Sequence, residues 1–315
     1  MATINGVLGP LDTTELGFTL MHEHILIANW SMRVAFDDWV DIDAHIEFAT
    51  GELKSARERG VRSIVDLTGV NMGRDIHVIR EVARRSGVNV VAATGLYWNE
   101  EPWMVGWSAD QLVDWLIRDI TDGIQGTDVK AGIIKCATDH LGVTPLNEKL
   151  LQVAARLHRR SGVPMSTHTS CEERTGLAQL EVFEKEGVDL SRIVIGHCGD
   201  TADLDYLEAI LASGCTIGMD RFGLNQMLPM EQRVSVVARL CERGYADRMV
   251  LSHDACCHLD WFPGGRAGAL LPQWNFRHVP DDVIPALRQE GVGDDAILAM
   301  TVNTPRRIFE QQGAY

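Results

Sequence analysis

The chain has 315 residues, of which 45% are hydrophobic and 23% are charged, a balance typical of a folded globular protein and not of a disordered or fibrous one. Its 29 Lys and Arg residues against 44 Asp and Glu residues give a formal charge of −15, and no basic run interrupts this acidic composition. Nucleic acid and anionic membrane surfaces are therefore not expected partners, and a small neutral substrate suits the chain better.

Eight short apolar runs rich in β-forming residues follow one another along the chain. They read as nearly continuous hydrophobic segments, as strands buried on both faces of a parallel sheet do. Their starts lie about 33 residues apart on average, which is the length of one strand–helix unit. The runs cover residues 20–27, 63–69, 90–97, 131–138, 164–169, 193–199, 215–221 and 249–255.

Helical patterns occupy the segments between these runs. Leu112, Leu116 and Ile120 keep the spacing of a buried helix face, and glycines such as Gly162 and Gly214 follow where helices are expected to end. Eight such units close into a (β/α)8 barrel, so we predict an α/β fold, a TIM barrel, with residues 1–315 forming a single domain. A doubly wound open sheet is the alternative, but no GxGxxG follows the first strand.

Histidines, a carboxylate and a lysine lie at the ends of five of the predicted strands. In a barrel these ends meet at the face where active sites form. His22 and His24 are two residues apart on the first strand, so their side chains point the same way. The other candidates are Lys135 on the fourth strand, His168 on the fifth, His197 on the sixth and Asp254 on the eighth.

Imidazole and carboxylate groups together suit zinc, iron, manganese or cobalt ions. We predict one ion held by His22, His24 and Asp254, and a second held by His168 and His197. A single HxH motif is weak evidence, and an isolated barrel histidine is more often part of the core. The joint occurrence on five strands favours a metal site.

Lys135 lies in an apolar run with Ile133, Ile134 and Cys136, where a charged ammonium group is costly to bury. Burial favours the neutral amine. A neutral amine beside metal ions can capture carbon dioxide as a carbamate, a bidentate anion able to bridge two cations. The alternative is that the side chain extends to the barrel end and keeps its charge in water.

Five local motifs surround these candidates. They are Leu20-Met-His-Glu-His24, Gly132-Ile-Ile-Lys-Cys-Ala-Thr-Asp139, Val194-Ile-Gly-His-Cys-Gly-Asp200, Gly218-Met-Asp-Arg-Phe-Gly223 and Val250-Leu-Ser-His-Asp-Ala255. Through them the chain resembles the phosphotriesterase family of the amidohydrolase superfamily over essentially its whole length. The resemblance implies a centre of two divalent ions, zinc first among the candidates, with the four histidines and Asp254 divided as above. Carboxylated Lys135 and a hydroxide would bridge the two ions.

Within that family the chain is most similar to the phosphotriesterase-like lactonases. Tyr97 matches the tyrosine that those enzymes place beside the metals, and Arg221 matches their arginine at the rim, whereas Trp98 and residues 99–102 depart from the usual lactonase loop. The resemblance implies opening of N-acyl-homoserine or other acyl lactones, the activity of a quorum-quenching enzyme. An organophosphate triesterase is the first alternative, and a non-catalytic metal-binding barrel is the second.

The expected reaction begins with attack of the bridging hydroxide on the lactone carbonyl. Tyr97 would orient the ring or the oxyanion, and Asp254 would take the hydroxide proton and pass it on through His253. Each residue also has a plainer interpretation. Tyr97 would be an aromatic packed at the rim, Arg221 a salt bridge closing the barrel mouth, and His253 a hydrogen-bonding partner.

Aromatic residues are concentrated in the predicted loops on the same face of the barrel. The loop at 255–280 is long and rich in Gly and Pro, which is typical of lids and binding loops. We predict that it forms a substrate lid and that Trp98, Trp261, Phe262 and Trp274 line an apolar pocket for an acyl chain. The same aromatics would serve equally well as loop anchors or as a subunit interface, and the family favours a homodimer.

The start of the chain has no basic region followed by an apolar run, and no stretch reaches about 18 uncharged apolar residues, so neither a signal peptide nor a membrane span is expected. The seven cysteines show no CxxC spacing, which fits reduced thiols. These features predict a cytoplasmic protein.

Overall fold

A two-stranded hairpin at the start of the chain packs against one end of the molecule. In the computed structural model, which describes residues 2–268, 270–310 and 313–315, β1 (Thr3–Gly6) pairs antiparallel with β2 (Gly9–Asp12), and Ile4 lies opposite Leu11. Both side chains are buried in an apolar cluster inside the barrel. The sequence patterns do not predict this hairpin, because its strands are short and contain Gly, Asn and Pro, which are depleted in strands.

Eight parallel strands form the barrel, and each overlaps one of the eight predicted runs. In chain order they are β3 (Phe18–Glu23), β4 (Val61–Asp66), β5 (Asn89–Gly95), β6 (Ile133–Ala137), β7 (Met165–His168), β8 (Ile193–Ile195), β9 (Thr216–Met219) and β10 (Met249–Leu251). Each strand pairs in parallel with the next one along the chain, from β3 to β10. The predicted α/β fold, a single-domain (β/α)8 TIM barrel, is confirmed.

Backbone hydrogen bonds between the first and last barrel strands close the cylinder. The amide of Asp254 donates to the carbonyl of His22 over 2.9 Å, and the amide of His24 donates to the carbonyl of Ala255 over 2.9 Å. A further bond of 3.1 Å runs from the amide of Cys257 to the carbonyl of His24. Closure therefore occurs at the carboxyl ends of β3 and β10 and brings their terminal side chains together.

Amphipathic helices surround the barrel. They are α1 (Trp30–Ala35), α2 (Ile42–Glu58), α3 (Ile76–Ser86), α4 (Pro102–Val105), α5 (Ala109–Thr121), α6 (Pro145–Ser161), α7 (Thr175–Lys185), α8 (Leu204–Ala212), α9 (Met230–Glu242), α10 (Ile284–Gln289), α11 (Asp294–Leu298) and α12 (Thr304–Glu310). Ser108 begins α5 with a side chain that accepts from the amide of Gln111. As predicted, α6 ends at Gly162, whose φ of 72° suits a residue without a side chain.

The loop between β10 and the helical turn at Val279–Val283 lies over the carboxyl end of the barrel. Its described residues form no helix, and isolated bridges such as that between Ile27 and Leu259 tie it to the first barrel connection. Leu259 and Phe262 pack there with Ile27, Met72 and Tyr97. Within the described residues, no helix combines the length and the apolar composition needed to cross a membrane.

Candidate metal centre

The six side chains predicted to bind metal ions lie together at the carboxyl end of the barrel. His22 Nε2 lies 2.8 Å from Lys135 Nζ and 3.3 Å from Asp254 Oδ1. His24 Nε2 lies 3.0 Å from the same Asp254 oxygen. His22, His24 and Lys135 are buried, and 13% of the Asp254 side chain is exposed. One half of the predicted centre is thus assembled from β3, β6 and the end of β10.

The other two predicted ligands complete the cluster on the opposite side of Asp254. His168 Nδ1 and His197 Nε2 are 2.8 Å apart, and His197 Nε2 lies 3.7 Å from Asp254 Oδ2. Asp254 therefore turns one oxygen toward His22 and His24 and the other toward His197. A carboxylate in this position contacts both halves of the cluster.

Two of these residues adopt backbone conformations that are rare for side chains larger than glycine. His197 follows β8 with a φ of 61°, and Asp254 follows β10 with a φ of 54°. Such left-handed conformations at non-glycine positions are found mainly where the surroundings hold them in place. The turns redirect both side chains from the strand ends toward the barrel axis.

Asp220, at the end of β9, orients two of the histidines and was not singled out from the sequence. Its Oδ2 accepts from His22 Nδ1 over 2.8 Å, and its Oδ1 accepts from both the amide (2.7 Å) and Nδ1 (3.0 Å) of His197. A carboxylate can only accept here, so both rings carry their proton on Nδ1 and leave the Nε2 lone pair for the centre. Gly218 leaves room for this group, because a Cβ there would lie 2.4 Å from Asp220 Oδ2.

The other two histidines have neighbours of their own. His24 Nδ1 lies 2.9 Å from Thr68 Oγ1, and His168 Nε2 lies 3.1 Å from Asp139 Oδ2, although the ring N–H of His168 is not aligned with that oxygen. Asp139 ends a motif quoted above, but spacing along the chain gives no indication that it reaches the ring. These contacts favour Nε2 of His24 and Nδ1 of His168 as the nitrogens that face the centre.

Three histidines of the cluster, His22, His168 and His197, are uncharged at neutral pH. Burial lowers the pKa of His22 to about 4, and burial likewise lowers the pKa of His168 and His197 below the ordinary value for histidine. Neutral imidazole is the form that binds metal ions. The rings are therefore ready to act as ligands without first losing a proton.

The surroundings lower the pKa of both Lys135 and Asp254, which favours a neutral lysine and a charged carboxylate. Burial lowers the pKa of Lys135 to about 8, so part of the population carries a neutral amine near pH 7. Burial opposes ionisation of Asp254, but the neighbouring His22, His197 and Arg221 hold its pKa well below the usual range. The cluster thus contains a charged carboxylate and a lysine that readily loses its proton.

The arrangement of donor atoms fits divalent cations. Ligand atoms of His22, His24 and Asp254 lie within 4.8 Å of one another, and so do those of His22, His197 and Asp220. In the second group the Nδ1 atoms already donate to Asp220, so that carboxylate acts as an orienting group. Imidazole nitrogens, a charged carboxylate and a low-pKa lysine together form a set that suits zinc and similar ions.

Tyr97 and Arg221, predicted to be catalytic, both contact this cluster. Tyr97 is buried, its hydroxyl lies 3.3 Å from His168 Nδ1, and burial raises its pKa, so the phenol stays protonated. Arg221 donates from Nε to Asp254 Oδ2 over 2.9 Å and from Nη1 to Asp200 Oδ2 over 3.0 Å. Arg221 therefore forms the predicted salt bridge at the barrel mouth and fixes one oxygen of Asp254.

The proton-relay role expected for His253 is not supported by its position. Its Nδ1 lies 2.6 Å from Glu23 Oε1, and its Nε2 lies 2.8 Å from the amide of Val279. Both ring nitrogens are therefore occupied by partners other than Asp254. His253 is a hydrogen-bonding partner, the plainer of the two interpretations, and cannot receive a proton from Asp254 in this arrangement.

An apolar cavity of about 250 Å3 opens above the cluster. Trp261, Phe262 and Trp274 line it as predicted, together with Tyr97. Trp98 is outside its lining: the indole packs beside the Tyr97 ring, with ring centroids 6.0 Å apart, so the pocket prediction for Trp98 is corrected. Further lining residues are Ile27, Met72, Leu224, Gln226, Met227, Cys256, Leu259 and Leu271.

A closed parallel barrel with imidazole and carboxylate donors at the carboxyl ends of its strands is an architecture of metal-dependent hydrolases. The model of the phosphotriesterase family matches residues 2–309, and the chain belongs to that family. It is 46% identical to a "Phosphotriesterase homology protein" of Mycobacterium tuberculosis, with both chains covered completely. It is 37% identical to an "Aryldialkylphosphatase" of Saccharolobus solfataricus, over 95% of this chain and 96% of the relative.

A solved structure agrees with this assignment. The "Structure of the phosphotriesterase from Mycobacterium tuberculosis" superposes with a TM-score of 0.95 at 46% identity and covers 100% of both chains. Members of the family are metal-dependent hydrolases with a centre of two divalent ions, and the present chain is an enzyme of this kind. The alternative of a non-catalytic barrel is therefore not supported.

Proposed function

We propose that the enzyme is a lactonase that opens N-acyl-homoserine or other acyl lactones, with hydrolysis of phosphotriesters as a slower side reaction. The observation that carries the proposal is the apolar cavity placed directly over the charged cluster, with the protonated Tyr97 hydroxyl in its wall. A neutral ester with an apolar tail fits such a site, because the tail gains by leaving water and the ester group reaches the polar floor.

Two divalent cations, with zinc as the first choice, would occupy the cluster. His22, His24 and Asp254 would hold one, and His168 and His197 would hold the other. When bound, such ions lower the pKa of water and stabilise negative charge that develops on a substrate oxygen. The neutral rings, their converging nitrogens and the charged Asp254 support this assignment.

Lys135 is proposed to carry a carbamate. Its neutral amine would attack the carbon of carbon dioxide, forming an N–C bond and releasing one proton, which leaves a carboxylate on the nitrogen. The lowered pKa of Lys135 and its position 2.8 Å from His22 Nε2 support this step. A mass increase matching carbon dioxide, or a carbamate resonance after exposure to ¹³C-labelled bicarbonate, would verify the modification; its absence in metal-loaded protein would disprove it.

Asp254 is proposed as the base. As water attacks the carbonyl carbon of the lactone, the Asp254 carboxylate accepts the proton of water and then returns it to the ring oxygen when the ester C–O bond breaks. The product is a hydroxy acid. Arg221 keeps one oxygen of Asp254 fixed, and the Tyr97 hydroxyl donates to the oxygen on which charge develops.

We propose that a second cavity holds the end of the acyl tail and so determines which tail lengths bind. A cavity of about 420 Å3 lies beside the first, and Cys256, Leu271 and Trp274 line both. Phe48 and Phe276 line the second cavity, together with the charged residues Glu52, Arg266 and Arg277. The loop of residues 255–280 contributes to both cavities, which supports its proposed role as a substrate lid.

The decisive experiment compares two ester classes on one metal-loaded preparation. Acid release is followed with N-acyl-homoserine lactones of short, medium and long tails and with simple lactones, and nitrophenolate release is followed with paraoxon. We expect kcat/KM for the best lactone to exceed that for paraoxon at least about tenfold. The reverse order would favour the organophosphate triesterase, which the 37% identical aryldialkylphosphatase makes the second candidate.

A homodimer is proposed through the face formed by α1. No residue of this helix is buried, and Trp30, Val34 and Phe36 are 37%, 78% and 52% exposed. An apolar surface of this kind is typical of a subunit interface. Light scattering after size-exclusion chromatography should give twice the mass of one chain, and Val34→Lys should shift the protein toward the monomer.

A further inference from the structure

Glu23, the residue between the two histidines of β3, is completely buried and is used by neither proposed ion. Its side chain points away from the barrel axis, where both carboxylate oxygens accept hydrogen bonds. Oε1 accepts from Ser252 Oγ (2.9 Å), from the amide of His253 (3.1 Å) and from His253 Nδ1 (2.6 Å). Oε2 accepts from the amide of Ala255 over 2.9 Å.

The two amides held by Glu23 flank Asp254 in the chain. Asp254 has a φ of 54°, a conformation that its neighbours must maintain. Its own amide donates to the carbonyl of His22 over 2.9 Å. Three consecutive amides, those of residues 253 to 255, are therefore fixed by adjacent residues of β3. This arrangement determines where the Asp254 carboxylate points.

His253 extends the same network to the wall of the substrate cavity. The amide of Val279 can only donate, so His253 Nε2 must accept this hydrogen bond. The ring proton is therefore on Nδ1, which donates a hydrogen bond to Glu23. The carbonyl of His253 accepts from Trp274 Nε1 over 2.9 Å. Trp274 lines the cavity, and Val279 begins the helical turn that ends the long loop.

We propose that Glu23 and His253 are positioning residues that form one buried junction. Glu23 and the Nδ1–H of His253 hold the Asp254 turn, and the Nε2 and carbonyl of His253 hold the far end of the loop and Trp274. The junction couples the placement of the base and metal ligand to the shape of the substrate cavity. Neither residue touches the substrate.

The two roles of His253 can be separated with a pair of amide substitutions. His253→Asn places an N–H group near the position of Nδ1, so it keeps the donor to Glu23 and loses the acceptor for Val279. His253→Gln places an amide oxygen near the position of Nε2, so it keeps the acceptor and loses the donor. Trp274→Phe removes only the indole N–H. His158→Asn is the control, since His158 is equally buried but bonds Val163 and Tyr315 instead.

Zinc affinity, measured by competition with a chelating indicator, reports on Asp254 without any turnover. We expect His253→Gln to weaken the first-bound ion about 10- to 100-fold, the range found when groups that orient ligands are lost. His253→Asn and Trp274→Phe should keep zinc affinity within about twofold of the wild type, and the control should match the wild type in affinity and kinetics.

The kinetic arm rests on the proposed lactonase activity, whereas the zinc arm does not. With a long-tail lactone, His253→Gln should lower kcat about tenfold or more, and His253→Asn and Trp274→Phe should raise KM several-fold. If His253→Gln and His253→Asn had the same zinc affinity, the same KM and the same kcat, the proposal of a junction with two separable roles for His253 would be wrong. If no lactone is turned over but zinc affinity falls in His253→Gln, the lactonase proposal fails and the positioning role stands.

Discussion

Replacement of Asp220 by Asn tests whether this carboxylate sets the metal-binding face of two histidines. An Asn amide has a single acceptor oxygen, and His197 supplies two donors to Asp220 Oδ1. The amide oxygen should therefore remain beside His197, and the NH2 group should face His22 Nδ1. His22 can avoid this contact between two donors only by moving its proton to Nε2, the nitrogen that faces Lys135 and Asp254.

The cost of this change can be estimated from the bonds involved. Loss of one hydrogen bond to a charged acceptor costs about 1.5–3 kcal/mol, which corresponds to a fall of about 10- to 150-fold in affinity for the ion that His22 holds. The ion held by His168 and His197 should be affected less, because the bonds of His197 to the remaining oxygen survive. The expected result is one weakened site of two in a zinc titration against a chelating indicator.

The control is Asp203→Asn, an exposed residue that caps α8 and lies outside the cluster. It should retain both zinc affinities. Thermal unfolding of both variants checks that the fold is intact. Unchanged affinity for both ions in folded Asp220→Asn protein would show that the Asp220 carboxylate does not determine which ring nitrogen of His22 carries the proton.

Three further predictions rest on other parts of the structure. Tyr97→Phe should lower kcat/KM for lactones about 10- to 100-fold through loss of one donor to developing charge, with zinc content unchanged by elemental analysis. Burial lowers the pKa of His45 from 6.5 to about 4, so His45 binds a proton more readily in the unfolded chain than in the folded one. The contribution of neutral His45 to the free energy of unfolding is therefore complete above pH 6.5 and is lost as the pH falls toward 4. Urea unfolding should show about 2 kcal/mol lost between pH 8 and pH 5 from this group, and His45→Phe should remove that share of the loss. Gly218→Ala should weaken zinc binding, because the added Cβ would lie 2.4 Å from Asp220 Oδ2, whereas Gly51→Ala, with nothing within 4 Å of its Cβ in α2, should bind zinc normally and unfold at a slightly higher temperature.

The barrel and the grouping of six polar side chains follow from the sequence because both depend on regular spacing. Buried parallel strands give continuous apolar runs, and the rule that strand ends meet at one face places His22, Lys135 and Asp254 together without any knowledge of loop structure. The N-terminal hairpin lies outside this reasoning. Its two four-residue strands carry no run of apolar residues, and they are stabilised by long-range contacts such as the packing of Ile4 and Leu11 inside the barrel.

The orienting residues were missed for a different reason. Asp220 contacts His22 and Glu23 contacts His253, partners that lie 198 and 230 positions away in the chain, and no local pattern reports such a distance. The relay role predicted for His253 rests on its adjacency in sequence to Asp254, whereas the other interpretation, a hydrogen-bonding partner, agrees with its contacts to Glu23 and Val279. Asp254 has a φ of 54°, and its carboxylate faces the histidines of the cluster, whereas the His253 ring contacts Glu23 and Val279. Trp98, next to Tyr97, likewise lies outside the cavity that its neighbour lines.

The cavity could be anticipated only in outline. Aromatic loop residues indicate an apolar rim, but which of them face the centre depends on how connections after five different strands fold over one another. Leu224 and Met227, after β9, line the cavity although nothing in their spacing distinguishes them. Loop conformations depend on contacts between segments far apart in the chain, and patterning contains little information about them.

The proposed metal ligands belong to the barrel strands and their ends, whereas the residues that would surround the ester belong to the connections after the strands. The six proposed ligands lie in or immediately after barrel strands, whereas Ile27, Met72, Leu224 and Trp261 come from four separate connections. A substitution in one connection can therefore change which molecule is admitted while every donor atom stays where it was. The substrate range of such an enzyme can thus change in evolution through one connection at a time, while the reaction stays the same.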